Sequence, residues 1–207
     1  PHKNGCRLAA PFEKSPMELT EFSVQPAQWG EFLCTLFDEW VKNDVGKIFI
    51  QLFDATLANW MNMTPGICSM AETCGHAGVI EFNGDVYSCD HFVFPEYKLG
   101  NIRQQTLTEM MYSQRQMQFG QNKNKLLPSL CRNCDFLFAC HGECPKNRFA
   151  LTRDGEPGLN FLCEGYKRFY KHVAPYMDYM KHRLMHDEAP ADVMEWIRQG
   201  MLPYDSD

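Results

Sequence analysis

Between Cys131 and Cys144 the chain reads CRNCDFLFACHGEC, four cysteines at the spacing C-x2-C-x5-C-x3-C. Thiolates this crowded are soft donors on one short loop, and such a loop is suited to wrapping a metal centre. Cys68, Cys74 and Cys89 precede it and Cys163 follows, so eight thiols divide naturally into two four-cysteine sites. Cys6 and Cys34 fall outside this pattern, and Cys34 sits on a helical apolar face as a core residue would. A disulfide framework is the competing use of ten cysteines. Against it stand twelve methionines, the CxxC-type spacing and a length of 207 residues, well above that of small stapled domains.

The net charge of −6 comes with scattered basic residues, which excludes a nucleic-acid groove from the expected partners. No apolar run approaches the roughly 18 residues of a membrane-spanning helix, so no membrane partner is expected and the setting is read as cytoplasmic. The chain opens on Pro1, and a preceding N-terminal part is expected.

Residues 1–25, with Pro11 and Pro16, read as irregular. Pro26 then opens a helix to about Asn43, with Trp29, Phe32, Leu33, Leu36, Phe37, Trp40 and Val41 as its apolar stripe and Gly46 as its stop. Lys47–Phe53 (KIFIQLF) is predicted to be a buried strand and Asp54–Asn62 a short helix. Helix followed by apolar strand fits the last unit of an α/β sheet or barrel, or a self-contained α+β piece. Asn83-Gly84-Asp85 is a turn signal between strands Val79–Phe82 and Val86–Cys89, and residues 90–100 are predicted to be loop. TLTE at Thr106–Glu109 is a capping box opening a helix to about Gln118. Cys163–His186 is predicted as a long helix kinked at Pro175, whose face of Tyr166, Phe169, Tyr170, Val173, Tyr176, Met177 and Met180 is core. A short helix at Ala191–Gln199 and a frayed polar end complete the chain. The step in cysteine density places a domain boundary near Met63.

Two fillings of the sites compete. Zinc in two all-thiolate sites would be structural and redox-silent. Iron–sulfur clusters use the same thiolates and carry electrons. Zinc ribbons present two CxxC knuckles, whereas this chain has one followed by x5 and x3 gaps, which favours clusters.

Beyond the spacing, Cys74-x14-Cys89, the four-cysteine loop and Cys163 together resemble the SPASM domain of radical S-adenosylmethionine enzymes. The words FDEWVKNDVG at 37–46, NGDVYSCDHFVFPEYKLGNI at 83–102 and CHGECPKNRF at 140–149 are similar to the anaerobic sulfatase-maturating enzymes within that group. The resemblance runs from about residue 20 to 186. It implies an α+β fold: residues 1–62 as the end of a partial radical-SAM barrel, 63–186 as a SPASM domain, and 187–207 as terminal helix and tail. It further implies two auxiliary 4Fe–4S clusters, one held by Cys68, Cys74, Cys89 and Cys144, the other by Cys131, Cys134, Cys140 and Cys163. The partition, with Cys144 leaving its own loop for the other cluster, comes from the resemblance.

The activity implied is oxidation of a sulfatase Cys or Ser to Cα-formylglycine. A third cluster and S-adenosylmethionine supply the 5′-deoxyadenosyl radical in that family. The implied partners are the sulfatase polypeptide and an electron carrier such as a ferredoxin or flavodoxin. The C-x3-C-x2-C motif of the radical-generating cluster occurs nowhere here, so that site is expected upstream and this chain alone is expected to be inactive. Asp90 matches the family position of the base that takes the substrate proton; otherwise it reads as an acceptor for backbone N–H groups of its loop. His91 reads as loop packing. Lys146 and Arg148 read as offsetting cluster charge or as ordinary solvated cations. Two other functions stay open: a SPASM-type maturase of a different peptide, and a two-zinc interaction module.

Overall fold

The computed structural model describes residue 19 and residues 22–200; the expectations for Cys6, for most of 1–25 and for the last seven residues lie outside them. In chain order the helices are α1 (Pro26–Asn43), α2 (Gln51–Trp60), α3 (Leu107–Met111), α4 (Gln114–Lys125), α5 (Ser129–Arg132), α6 (Leu137–Cys140), α7 (Cys163–Met185) and α8 (Val193–Arg198). The strands are β1 (Val79–Ile80), β2 (Asp85–Tyr87), β3 (Lys98–Asn101), β4 (Ala150–Leu151) and β5 (Pro157–Leu159).

The helical body forms because three apolar stripes meet. α1 buries Leu33, Cys34, Phe37, Trp40 and Val41; α2 buries Phe53 and Trp60; α7 buries Phe169, Tyr170, Val173, Met177 and Met180. Phe37, Phe53 and Phe169 pack edge-on or stacked with ring centroids 5.2–6.2 Å apart, which favours the aromatic quadrupoles as well as burial. α1 and α7 approach backbone to backbone at Gly30 and Gly165. A Cβ on Gly165 would stand 2.4 Å from the Pro26 carbonyl oxygen, so only glycine fits. Met70 and Ala139 belong to the same core, and they lie two residues after Cys68 and one before Cys140. The body therefore reaches directly under both cysteine-bearing regions.

The predicted strand over Lys47–Phe53 is overturned. Lys47–Ile50 is a turn with Ile48 and Phe49 exposed, and α2 begins at Gln51. The Trp40 indole N–H donates to the Ile48 carbonyl (2.7 Å), which folds the turn back on α1. Phe53, Thr56 and Trp60 recur at helical steps, and a short apolar run does not by itself separate helix from strand.

β1, β2 and β3 form an antiparallel sheet, with Val79 opposite Tyr87, Val86 opposite Gly100 and a bulge between Val86 and Tyr87. Its turn is the expected one: Gly84 has φ +88°, and Asn83 Oδ1 accepts from the Asp85 N–H (3.0 Å). β3 corrects the loop expected over 90–100. KLGN has little strand propensity and is recruited by pairing and by polar contacts: Lys98 bonds Asp85 at 2.6 Å and Asn101 donates to Asp85 at 2.9 Å.

The Thr106–Glu109 capping box is present, but the helix expected to reach Gln118 breaks at Tyr112. Ser113 then caps α4, its hydroxyl accepting from the Gln116 N–H. α7 continues through Pro175 and ends one residue short of the expected His186. The terminal helix is shorter than expected, with a turn at Pro190–Asp192 before α8.

Candidate metal centres

All nine described cysteines are free thiols, and Cys34 is the buried core residue expected of it. The other eight fall into two groups. Cys68, Cys74, Cys89 and Cys144 line one open cavity with about 430 Å³ of atom-free space, together with Asp90, His91 and Phe92. Burial pushes the Cys144 thiol up to about 11, with Glu143, Cys74 and Cys68 adding to the push. Burial also pushes Cys89 up to about 12, and Asp90 and Cys144 add to it.

The second group is Cys131, Cys134, Cys140 and Cys163. Burial drives Cys140 to about 12, helped by the fields of Cys163, Cys131 and Glu143. Burial drives Cys163 to about 11, helped by Cys131 and Cys134. Cys131, Cys140 and Cys163 thus each feel the field of other members of their group. Cys163 begins α7, where the helix N-terminus favours a thiolate.

The crossing of Cys144 into the first group has a backbone cause. His141, Gly142 and Glu143 all have positive φ, at +47°, +69° and +57°. Three successive left-handed residues reverse the chain between Cys140 and Cys144. The Arg148 guanidinium holds this turn, donating to the carbonyls of His141 (2.8 Å), Gly142 (2.8 Å) and Glu143 (2.9 Å). Gly142 eases this approach, since a Cβ there would lie 2.3 Å from the Leu127 side chain and 2.7 Å from the Arg148 guanidinium. Arg148 is 2 % exposed, which overturns its reading as a solvated cation. Lys146, by contrast, is only part-buried and lies over the Phe94 ring at 4.9 Å.

α4 was not expected to take part in the site. It buries a polar face, Gln116, Gly120 and Lys123, at helical steps. Gln116 donates to the Gly75 and Ser88 carbonyls, beside Cys74 and Cys89. Gly120 meets Cys74 backbone to backbone, the Cys74 N–H donating to its carbonyl (3.1 Å). Lys123 donates to the carbonyls of Cys68 (2.6 Å), Ser69 (2.8 Å) and Ala71. QRQMQFGQNKNK is mostly polar, and the helix expected from Thr106 to about Gln118 stops short of Gly120 and Lys123. The one available signal was Gly120 in mid-helix, where glycine usually marks a close approach. A further clamp joins the groups: the buried Asn59 amide donates to Met70 (3.0 Å) and Ala139 (2.9 Å) carbonyls.

At the cavity mouth, Cys89, Asp90 and His91 bring their donor atoms within 4.8 Å of one another. Asp90 Oδ1 accepts from the Cys89 thiol (3.1 Å) and the His91 N–H (3.1 Å). The Cys89 thiol bond, with help from His91, holds the Asp90 carboxyl below its ordinary value while that thiol keeps its proton. His91 Nδ1 and Cys144 Sγ are hydrogen-bonded at 3.6 Å, so His91 contacts a thiol of the site as well as its own loop. Eight converging soft donors, with buried thiols that must shed protons on ligation, fit iron–sulfur centres.

Comparison with known proteins agrees. Residues 68–135 match SPASM, an iron–sulfur cluster-binding domain. The chain therefore carries a SPASM-type iron–sulfur domain. It is 65% identical over 201 residues to a serine-type anaerobic sulfatase-maturating enzyme of Bacteroides thetaiotaomicron, covering 97% of this chain and 49% of that protein. A cysteine-type anaerobic sulfatase-maturating enzyme of Clostridium perfringens is 30% identical over 156 residues, covering 74% of this chain and 42% of that protein. The solved structure of native anSMEcpe with bound AdoMet and Kp18Cys peptide superposes with a TM-score of 0.68 at 28% identity, covering 79% of this chain and 45% of that one. Over 97% of its own length the chain is similar to part of an anaerobic sulfatase-maturating enzyme. It spans about half the length of these curated relatives. Among the described residues no helix is long and apolar enough to cross a membrane.

Proposed function

We propose that this chain is the auxiliary-cluster half of a radical S-adenosylmethionine enzyme that oxidises a sulfatase Cys or Ser to Cα-formylglycine. The observation that carries this reading is the sorting of eight thiols into two groups of four, one of them beside an ionised carboxylate. Cys68, Cys74, Cys89 and Cys144 would hold one 4Fe–4S cluster; Cys131, Cys134, Cys140 and Cys163 would hold the second. When bound, such clusters supply one-electron redox capacity. The radical-generating cluster and S-adenosylmethionine belong to the part of the enzyme outside this chain, so the chain alone would not turn over. Residues 1–62 are read as the end of the partial barrel, 63–186 as the SPASM domain and 187–207 as terminal helix and tail.

The residues of this chain divide the work. Converting a side-chain CH2 to an aldehyde removes a hydrogen atom, a proton and an electron in all. Asp90 takes the proton: it is exposed at the cavity mouth, ionised and adjacent to Cys89. Phe92 and Phe119, packed edge-on at 5.1 Å, wall the same cavity and exclude water from its side. The electron leaves by a carrier such as a ferredoxin or flavodoxin, in a cytoplasmic setting where thiols stay reduced.

In the full-length enzyme, Asp90→Asn is expected to lower aldehyde formation about 10²-fold or more while S-adenosylmethionine cleavage persists. Normal turnover by that variant would remove Asp90 as the base. Absence of aldehyde from every sulfatase peptide with the wild-type enzyme would instead point to another peptide substrate.

A further inference from the structure

Lys123 and Arg148 are among the most deeply buried side chains of the protein, at 1 % and 2 % exposure. Among the described residues neither pairs with a carboxylate. Lys123 donates to the Cys68, Ser69 and Ala71 carbonyls, and Arg148 to those of His141, Gly142, Glu143 and Lys123, the last at 2.5 Å. Glu143 acts on both through its field but bonds neither, its carboxylate accepting from Asn147 and Asn160 at 3.0 Å each. Two buried cations hydrogen-bonded only to carbonyl dipoles are costly to hold unless anions lie close by. The charges that face them are sulfurs and one carboxylate: the field at Lys123 includes Cys74, Glu143 and Cys144, and the field at Arg148 includes Cys131, Cys140, Cys74 and Glu143. Lys123 therefore sits against the first thiol group, and Arg148 sits between both.

We infer that Lys123 and Arg148 are positioning residues that form a buried cationic bridge between the two cysteine sites, compensating the negative charge of both once they are loaded. This rests on the reading of both sites as iron–sulfur centres. A four-thiolate iron–sulfur centre is a net anion, and reduction adds a further electron to it, so a fixed cation nearby favours both loading and the reduced state. The bridge makes Lys123 specific to the first site, whereas Arg148 acts on both and links their potentials. A mainly structural role would predict lost stability without any change in potential.

The test uses the anaerobically reconstituted full-length protein, with each auxiliary centre read alone by potentiometric EPR in a background lacking one cysteine of the other. Lys123→Gln is expected to lower the reduced-to-oxidised ratio of the first centre about tenfold at fixed potential, a downward shift of about 59 mV for one electron, and to leave the second centre unmoved. Arg148→Gln is expected to lower both, and Lys123→Arg neither. If the glutamine variants fail to load iron, charge compensation still requires that Lys123→Arg and Arg148→Lys load better than they do. Unchanged potentials at full iron content, or equal loading failure in the charge-preserving variants, would overturn the bridge. Iron-free wild-type protein would instead overturn the cluster reading itself.

Discussion

Cys131, Cys134, Cys140 and Cys163 come from α5, its C-terminal turn, the end of α6 and the start of α7, of which α6 and α7 pack on the helical body; Ala139, beside Cys140, is itself in that core. Cys68, Cys74, Cys89 and Cys144 come instead from turns and loop ends. Their region has only a small apolar core of Val86, Met110 and Met111, and the polar face of α4 holds it together through Gln116, Gly120 and Lys123. One group is positioned by burial and the other by directed hydrogen bonds. Burial gives a rigid, closed setting. Hydrogen bonding leaves a cavity open to a partner, and Asp90 stands at that opening.

The largest expected difference lies in ligand removal. Cys89→Ala and Cys140→Ala should each lower iron from about eight to about four per chain, since each group is read as one four-iron centre. Thermal unfolding should fall further in Cys140→Ala, because its site is continuous with the main core; equal losses of melting temperature would erase the contrast. Next in size is Phe169→Ala, which removes a ring at 0 % exposure that packs on Phe37 and Phe53. Chemical denaturation should show a loss of about 3–5 kcal/mol. The same variant should disturb iron binding at the second group more than at the first.

Much of this contrast was invisible in the sequence, and for physical reasons. The α1 stripe, apart from the exposed Phe32, and the α7 stripe were legible because helical periodicity is local. The Asn83–Asp85 turn and the Thr106 cap were legible because Gly84 and Thr106 act on their own backbone. α2 was misread because a short apolar run fits either period. β3 was missed because its pairing with β2 decides it, not its own residues. α4 and Asn59 were missed, and the burial of Arg148 was not foreseen, because buried polar side chains look solvated until their carbonyl partners are brought in from distant positions.

A smaller effect sharpens the same comparison. Asn59→Ala leaves the Met70 and Ala139 carbonyls without their shared donor and should cost about 1–3 kcal/mol in denaturant unfolding. It should loosen both cysteine regions, seen as faster amide exchange near Cys68 and Cys140 together; protection lost on one side alone would deny the link. The smallest effect is acid sensitivity of the sheet. The Lys98 hydrogen bond, with Asn101, holds the Asp85 carboxyl below its ordinary value of 3.8. The stabilisation is present above that unfolded value and is lost as pH falls through the depressed folded one. NMR titration of metal-free protein should show β2–β3 contacts weakening only below about pH 4, with Asp85→Asn abolishing the step.

The most direct measurement is an anomalous diffraction map at the iron edge from anaerobically reconstituted protein. Two separate iron peaks are expected, one ringed by Cys68, Cys74, Cys89 and Cys144 and the other by Cys131, Cys134, Cys140 and Cys163. Sulfurs bonded to each other, zinc in place of iron, or a single centre drawing on both groups would contradict the account.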